Sequence, residues 1–380
     1  MKISFLCFDI SDNSFARAAL LANAISSDYE VELLGPAKQN KIWEPLNNCP
    51  HSVKLFPWKR YPSFLNVIPK IIKAANGNLI YACKLRPTSF GISLLAKRKT
   101  PILLDIDDWE LGFFKQAKFF GKIGRFLNFS NPNGMPYTWL IEHLTGFADG
   151  ITVSNRFLQN RFGGTLVPHC RDVTKLDPEK FDDLENKRKL GLENKKTLMF
   201  LGTPRAHKGV EDLFSVLEKI ETQNVQLALI GTNNFPLENI TEKAKILKKK
   251  VTFLPNIPFS DLGVYLSAAD AIIIPQRRSI ATLGQMPAKI YDAMAMAKPI
   301  VSTNVSDIPE ALENCGYIVE PGNVDQLAQA VDAIFSNPKK SEKMGQKARD
   351  RCIRLYNIKN LKNTLSKAID EAIAKKKKKF

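Results

Sequence analysis

Short apolar runs alternate with longer amphipathic segments along the chain. In the first half, the apolar runs at 2–8, 31–34, 53–56, 79–83, 101–105 and 149–153 predict strands. Segments with apolar residues at helical spacing, such as 15–27 and 137–147, separate them and predict helices. Strands separated by helices predict an α/β fold with a doubly wound parallel sheet.

The same alternation returns in the second half. Polar residues and prolines interrupt the pattern at 166–178, and strands are again predicted at 197–202, 271–275 and 299–303. We therefore predict a first domain over 1–170, an interdomain linker over 171–194 and a second domain over 195–356.

The segment 271–303 predicts a βαβ unit with a ligand site. A strand ends at Pro275, a polar loop follows, and Pro287 is predicted to open a helix that carries Lys289 and Asp292. A helix N-terminus binds phosphate through its free N–H groups and its dipole, and a carboxylate can accept hydrogen bonds from a ribose. The alternative is an ordinary crossover of a parallel sheet.

A second loop of the same kind follows the strand 197–202. Gly202 and Thr203 end this strand, and Arg205 and Lys208 precede a helix predicted at 210–220. In open α/β folds, ligands bind at the carboxyl ends of the strands. An arginine and a lysine there can neutralise two phosphates, although a solvated basic loop is the alternative reading.

Together these residues carry a resemblance. Gly202, Arg205 and the pair Lys208-Gly209, with the segments 261–275, 308–322 and 327–334, resemble the retaining GT-B glycosyltransferases of glycosyltransferase family 4 (group 1). The resemblance implies two Rossmann-like domains that face each other across a cleft. It also implies a metal-independent transfer from a nucleoside diphosphate sugar to a saccharide or lipid-linked acceptor. The final segment, 357–380, would pack back on the first domain.

The resemblance also implies site residues. Arg205 and Lys208 would stabilise the leaving diphosphate, Gly202, Thr203 and Lys289 would contact the nucleotide, and Asp292 would bind the ribose. The family usually has two glutamates here. Asp292 stands at the second position and Gly284 at the first, so the backbone N–H groups of Gly284, Gln285 and Met286 are expected to replace the first glutamate.

In the first half, the strand 101–105 opens a DIDD sequence. By the resemblance, Asp107 lies roughly where a family histidine touches the donor sugar, and it could bind sugar hydroxyls or take the acceptor proton. Asp108 is expected to cap a helix. A lone DxD is also a metal signature of another glycosyltransferase architecture, but the resemblance favours a site without metal.

The loop after the first strand is the expected acceptor site. The family usually has a glycine pair there, whereas this chain has Ser11, Asn13 and Ser14, followed by Arg17 one turn into the helix. We expect these four residues to contact the acceptor. The alternative for Asn13 and Ser14 is that they cap the helix.

The net charge of +17 calls for an anionic partner. No nucleic-acid-binding module is recognisable, so phosphorylated substrates and anionic lipid are the remaining candidates. In the segment 113–129, phenylalanines and other apolar residues share one helical face and Lys115, Lys118, Lys122 and Arg125 share the other. Such a segment can bind an anionic membrane surface, or it can be a core-facing helix. The basic tail at 375–379 reads as a solvated, disordered end.

Six scattered cysteines and the lack of a run of about 20 apolar residues favour a cytoplasmic protein, with peripheral membrane attachment as a further expectation. Two other functions are open: a sugar-nucleotide epimerase on the same architecture, and a non-catalytic binding protein. A nicotinamide oxidoreductase is excluded because no G-x-G-x-x-G follows the first strand.

Overall fold

The computed structural model describes residues 1–96, 99–115, 119–232, 247 and 250–379. Contacts divide the chain into two units. Unit 1 comprises Met1–His169, Leu283–Met286 and Ile358–Phe380, and unit 2 comprises Cys170–Thr282 and Pro287–Asn357.

Unit 1 is built on a parallel sheet. Over its described residues, the order of the seven strands is β3-β2-β1-β4-β5-β6-β7. The strands are β1 (Lys2–Cys7), β2 (Glu30–Ala37), β3 (Ser52–Pro57), β4 (Leu79–Cys83), β5 (Ile102–Ile106), β6 (Gly150–Val153) and β7 (Thr165–Leu166). The helices are α1 (Phe15–Ile25), α2 (Ile68–Ala74), α3 (Ile92–Leu94), α4 (Glu110–Lys115), α5 (Phe119–Phe126), α6 (Met135–His143) and α7 (Arg156–Phe162). The central strands β4 and β5 are buried at every position, as expected for a sheet covered on both faces.

Unit 2 repeats this plan with six strands in the order β10-β9-β8-β11-β12-β13, again all parallel in its described part. They are β8 (Lys196–Leu201), β9 (Val225–Ile230), β10 (Val251–Leu254), β11 (Ala271–Ile274), β12 (Ile300–Thr303) and β13 (Tyr317–Val319). The helices are α8 (Asp183–Lys189), α9 (Val210–Lys219), α10 (Leu262–Ser267), α11 (Ile280–Leu283), α12 (Lys289–Ala295), α13 (Ile308–Ala311), α14 (Val324–Ser336) and α15 (Pro338–Leu355). The last helix of the chain, α16 (Ile358–Lys377), lies in unit 1.

Each sheet has one point where the strand order reverses. In unit 1 it lies between β1 and β4, and in unit 2 between β8 and β11. Loops leave the carboxyl ends of neighbouring strands in opposite directions there, which opens a crevice for a ligand. The predicted fold class, two doubly wound parallel-sheet domains, is confirmed. The apolar pattern did not predict the short strand β7, nor the strands β9, β10 and β13.

Residues 171–194, which we predicted as a linker, belong to unit 2 instead. Helix α8 packs against α10, and the buried Asn186 side chain donates a 2.8 Å hydrogen bond to Ser267. The last turn of α8 is basic, and for this reason sequence analysis did not predict that the helix has a buried contact.

The basic tail continues helix α16 to Lys377, while Lys375, Lys377, Lys378 and Lys379 stay exposed. Helix α16 packs against α1, β5 and β6, and its end brings Lys376 and Lys379 within 3.2 and 2.9 Å of Asp149. The Asp149 side chain is fully buried and also accepts a hydrogen bond from the backbone N–H of Ile102. The start of β5, the start of β6 and the end of α16 therefore share one buried carboxylate.

All six cysteines are free. None of the helices that the structure describes combines the length and the hydropathy of a membrane span.

We predict that Asp149→Asn lowers the free energy of unfolding by about 1–2 kcal/mol, because two lysines and one N–H lose a charged acceptor. Burial raises the pKa of Asp149. Its hydrogen bonds to Lys379, Ile102 and Lys376 together lower the pKa by more, so the net pKa lies below the ordinary value of 3.8. The stabilisation is therefore complete above pH 3.8 and disappears as the pH falls through the lowered pKa.

Urea unfolding at pH 7 and at low pH measures the effect. The matched control is Asp370→Asn, because Asp370 is an exposed residue of helix α16. Equal stability of both variants at pH 7 would contradict the assignment.

Candidate active site

The loop after β8 begins with a glycine that the site requires. Gly202 has a φ of +103°, and its N–H donates a 2.9 Å hydrogen bond to the carbonyl of Ile230. A Cβ at this position would overlap the end of the Lys289 side chain. Gly202 thus allows the Lys289 amine, from the start of α12, to lie over the end of β8.

The loops after β8 and β11 are bound to each other inside unit 2. Gly209, with a φ of +67°, lies too close to the Pro275 carbonyl to admit a side chain. The N–H of Arg277 donates a 3.0 Å hydrogen bond to the carbonyl of His207, and its guanidinium holds Asp212 at 2.6 and 3.1 Å. These contacts fix the two loops at the reversal point of the sheet.

Four cations meet beside Gly202, and we call Arg171, Arg205, Lys208 and Lys289 the cation cluster. Burial lowers the pKa of Lys289 to about 8, Asp292 and Lys208 raise it, and Arg205 and Arg171 lower it. The Lys208 amine donates to the carbonyl of Thr203 at 2.8 Å. Of the described charged residues that act on Lys289, three are cations and one, Asp292, is a carboxylate, so this arrangement favours an anion.

Asp292 is engaged within this group. Its side chain is buried, and both of its oxygens accept hydrogen bonds from Arg171, the second at 3.0 Å. Arg171 also donates to the carbonyls of Cys170 and Ala288. A ribose would have to share this carboxylate with Arg171, so ribose binding by Asp292 stays a prediction. Helix α12, which we predicted to open at Pro287, begins two residues later at Lys289.

Arg171 was missed by sequence analysis. It lies in the polar segment that interrupts the apolar pattern, and no spacing relates it to Asp292, 121 residues away. The only signal was its place among charged residues at a domain boundary.

Gly284, Gln285 and Met286 group with unit 1 rather than with the cation cluster. A Cβ on Gly284 would meet Trp109 at 2.7 Å, and the Gln285 amide donates to Asp108 at 3.2 Å. Met286 is buried. Their predicted nucleotide contact through backbone N–H groups remains untested, and what the structure adds is a packing role beside Trp109.

The loop after β1 is organised by Asp9, which sequence analysis did not single out. Ser11 donates through both its N–H and its hydroxyl to Asp9, and the Ser11 hydroxyl accepts from the N–H of Lys38. Asn13 is exposed. Ser14 precedes α1, but its side chain makes no capping bond, so the capping alternative is wrong for Ser14. Its N–H instead donates to Asp12.

Arg17 is a structural residue rather than the acceptor contact that we predicted. Its guanidinium is buried and donates to both oxygens of Asp105 and to the carbonyls of Val167 and Pro168. Burial lowers its pKa, but the Asp105 charge raises it above the ordinary value overall. A sequence pattern cannot show that a cation one turn into α1 faces a buried carboxylate on β5.

Asp107 and Lys84 form a second charged group, at the carboxyl ends of β5 and β4. The Lys84 amine lies 3.0 Å from Asp107 and also reaches Asp108 and Glu110. Burial raises the pKa of Asp107 to about 7, while Lys84 lowers it and Asp108 raises it. Lys84 was also missed by sequence analysis, although it directly follows β4. Within the described residues, no group of three or more His, Cys, Asp or Glu side chains is arranged to hold a metal ion.

Comparison with known proteins gives these features a context. Residues 182–351 match the family model described as "Glycosyl transferases group 1". The chain is 21% identical over 169 residues to an alpha-D-kanosaminyltransferase of Streptomyces kanamyceticus, a match that covers 43% of this chain and 42% of the relative. It is 23% identical over 214 residues to a GDP-mannose-dependent alpha-(1-6)-phosphatidylinositol monomannoside mannosyltransferase of Mycolicibacterium smegmatis, with 52% and 56% covered. The chain thus spans about half the length of these curated relatives.

Among solved structures, the fold is similar to that of Alr3699/HepE of Anabaena in complex with UDP-glucose. The TM-score is 0.77 at 15% identity, over 97% of this chain and 99% of the other. This likeness shows the fold.

We predict that Gly202→Ala weakens the binding of diphosphates at least tenfold, because the new methyl group displaces the Lys289 amine. The positive φ adds a strain of about 1–2 kcal/mol. Calorimetric titration with inorganic pyrophosphate, UDP and GDP measures the change. Gly146→Ala is the matched control, since no atom lies within 4 Å of its added Cβ. The same affinity for each diphosphate in both variants would refute the assignment.

Proposed function

Because residues 182–351 match the family model of the group 1 glycosyl transferases, we propose that this chain transfers a hexosyl group from a nucleoside diphosphate sugar to a saccharide or lipid-linked acceptor. In this proposal unit 2 binds the donor and unit 1 carries the acceptor groups. The reaction would serve glycan, polysaccharide or glycolipid synthesis in the cytoplasm.

The observation that carries the proposal is the cation cluster at the strand reversal point of unit 2. Two arginines and two lysines surround a glycine whose shape lets one amine reach the strand end. A diphosphate has the charge that this group lacks, and arginine and lysine are the usual phosphate ligands. The relatives agree with this chemistry, since one is named for GDP-mannose and one was solved with UDP-glucose.

The proposed chemistry follows from where charge develops. As the bond between the sugar carbon and the diphosphate breaks, the electron pair goes to a phosphate oxygen, and Arg205, Lys208 and Lys289 stabilise that charge. These side chains supply the positive charge, so we propose a reaction without a metal ion. The acceptor hydroxyl attacks from the face that the diphosphate leaves, its proton passes to the departing diphosphate, and the anomeric configuration is retained.

We predict that Arg205→Ala and Lys208→Ala each lower kcat/KM while the fold stays intact. The loss of transition-state stabilisation should be about 2–4 kcal/mol for each change. Release of nucleoside diphosphate from UDP-glucose and from GDP-mannose, in the presence of a saccharide acceptor mixture, reports the rate. Lys219→Ala is the matched control, because that lysine pairs with Asp325 on the exposed surface of α9. Rates within about twofold of the unchanged protein for both variants would reject these roles.

We further propose that unit 1 attaches to an anionic membrane surface. The structure divides the predicted segment 113–129 into α4 and α5, and residues 116–118 lie outside the described residues. At and just after the end of α5, the side chains of Phe126, Leu127 and Phe129 are each at least half exposed. Lys115 at the end of α4 and Arg125 in α5 are exposed as well. The ring of Phe129 contacts the rings of both Phe126 and Tyr137. Exposed aromatic side chains beside cations fit an interfacial site.

The tail contributes less to this surface than its composition implies. Lys376 and Lys379 pair with Asp149, which leaves Lys375, Lys377 and Lys378 as the exposed lysines outside this pairing. The Phe126–Phe129 surface is therefore the part of the proposal to test.

Flotation with equimolar phosphatidylglycerol and phosphatidylcholine vesicles tests it. Each cation near such a surface adds about 1 kcal/mol, so we expect the protein to float at low salt and to sink as salt is added. The joint change of Phe126 and Phe129 to Ser, or of Lys115, Lys118 and Lys122 to Glu, should abolish flotation. Leu184→Ser, an exposed leucine of unit 2, should not. Unchanged protein that stays at the bottom at low salt would rule out the attachment.

A further inference from the structure

Lys84 occupies an unusual position in unit 1. It follows β4 at the strand reversal point, its side chain is buried, and its φ of +76° is uncommon for a residue other than glycine. The Ser89 hydroxyl donates a 2.7 Å hydrogen bond to its carbonyl, and its N–H donates to the carbonyl of Asp105. Surrounding bonds therefore hold this backbone in place, and strain of this kind collects at functional sites.

Several carboxylates surround the Lys84 amine. Its amine lies 3.0 Å from Asp107, 2.5 Å from Asp108 and 3.0 Å from Glu110. The second oxygen of Glu110 is paired with Arg86, and the other oxygen of Asp108 accepts from Gln285. Among the described contacts, three buried or half-buried carboxylates thus share the Lys84 amine.

Asp107 is the one of these three carboxylates whose Oδ1 makes no hydrogen bond in the described structure. Although its Oδ1 is close to the Lys84 amine, the direction does not make a hydrogen bond, and this buried oxygen has no other partner. The charged groups that face it are Lys84 at the end of β4, Asp105 on β5, Arg17 on α1, and Asp108 at the start of the α4 segment. The Ser154 hydroxyl, at the end of β6, bonds only the backbone carbonyl of Asp107.

The balance of these groups sets the ionisation of Asp107. Burial raises its pKa to about 7, Asp108 and Asp105 raise it, and Lys84 and Arg17 lower it. Arg17 is saturated by Asp105 and two carbonyls, so Lys84 is the cation whose removal changes Asp107 directly. Loss of Lys84 would leave Asp107 protonated at neutral pH.

We propose that Lys84 is a positioning residue that holds Oδ1 of Asp107 and keeps this carboxylate ionised, so that the carboxylate can accept a hydrogen bond from a sugar hydroxyl. The inference rests on the proposed glycosyl transfer and adds to it a residue outside the cation cluster. The hydroxyl belongs either to the acceptor or to the transferred sugar, and these two sources share the same chemistry.

The experiment is a pH profile of transfer between pH 5.5 and 8.5, with UDP-glucose and GDP-mannose as donors and a saccharide acceptor mixture. We expect kcat/KM of the unchanged protein to rise with pH to a plateau, with an apparent pKa near 7. Lys84→Met should move this rise by one pH unit or more to higher pH and lower kcat/KM at least tenfold at pH 7. Lys84→Arg should restore most of the original profile.

Two further variants keep the test decisive. Asp107→Asn should abolish the rise with pH, and it carries the test if Lys84→Met does not fold. Lys298→Met removes an equally buried lysine from unit 2 and should leave the profile unchanged. A larger change in KM for the acceptor assigns the hydroxyl to the acceptor, and a larger change in KM for the donor assigns it to the transferred sugar.

The outcomes separate the two claims. Active protein with a flat profile, or a Lys84→Met variant with the original profile, would overturn the role of Lys84 and leave the proposed function standing. Absence of both transfer and nucleoside diphosphate binding in the unchanged protein would overturn the proposed function itself.

Discussion

Incomplete neutralisation of buried charge is the constraint on which both sites depend. Buried ions are costly unless they are paired, so most of the charged side chains in the two sheets have matched partners. Arg17 and Asp105 are such a pair, and they hold α1 to β5. Among the described contacts, three carboxylates lie on the Lys84 amine at the reversal point of unit 1, and three cations and one carboxylate act on Lys289 at the reversal point of unit 2. We propose that each local excess of one sign is a place where a polar ligand binds.

The two excesses differ in sign because they suit different chemistry. A diphosphate needs positive charge, and burial lowers the Lys289 pKa to about 8, with Arg205 and Arg171 lowering it as well and the Asp292 carboxylate raising it. A sugar hydroxyl needs a hydrogen-bond acceptor, and Asp107 provides a carboxylate whose Oδ1 is ion-paired with Lys84 but makes no hydrogen bond. The glycine at 202 matters for the same reason, since it leaves the space that the Lys289 amine fills.

Much of the fold follows from the sequence pattern. Buried parallel strands are short apolar runs, so β1, β4, β8, β11 and β12 were predicted to within one or two residues. The loop after β8 was also predicted, because Gly202, Arg205 and Lys208 follow an apolar run directly. Arg171 and Lys84 could not be predicted, since their partners are set by packing across the sheets and not by local spacing. For the same reason Arg17 was assigned to the acceptor when its guanidinium is buried against Asp105.

The central claim is that unit 2 binds the diphosphate of a nucleotide sugar. The most direct measurement is a thermal-shift titration of the whole chain with UDP, GDP, ADP and CDP, beside the matching nucleosides. A ligand that binds the folded state raises the apparent stability by mass action, by about 2.7 kcal/mol at a hundredfold excess over Kd. The account predicts a clear rise in Tm with at least one nucleoside diphosphate and little or none with its nucleoside. An unchanged Tm with all four diphosphates at millimolar concentration would contradict it.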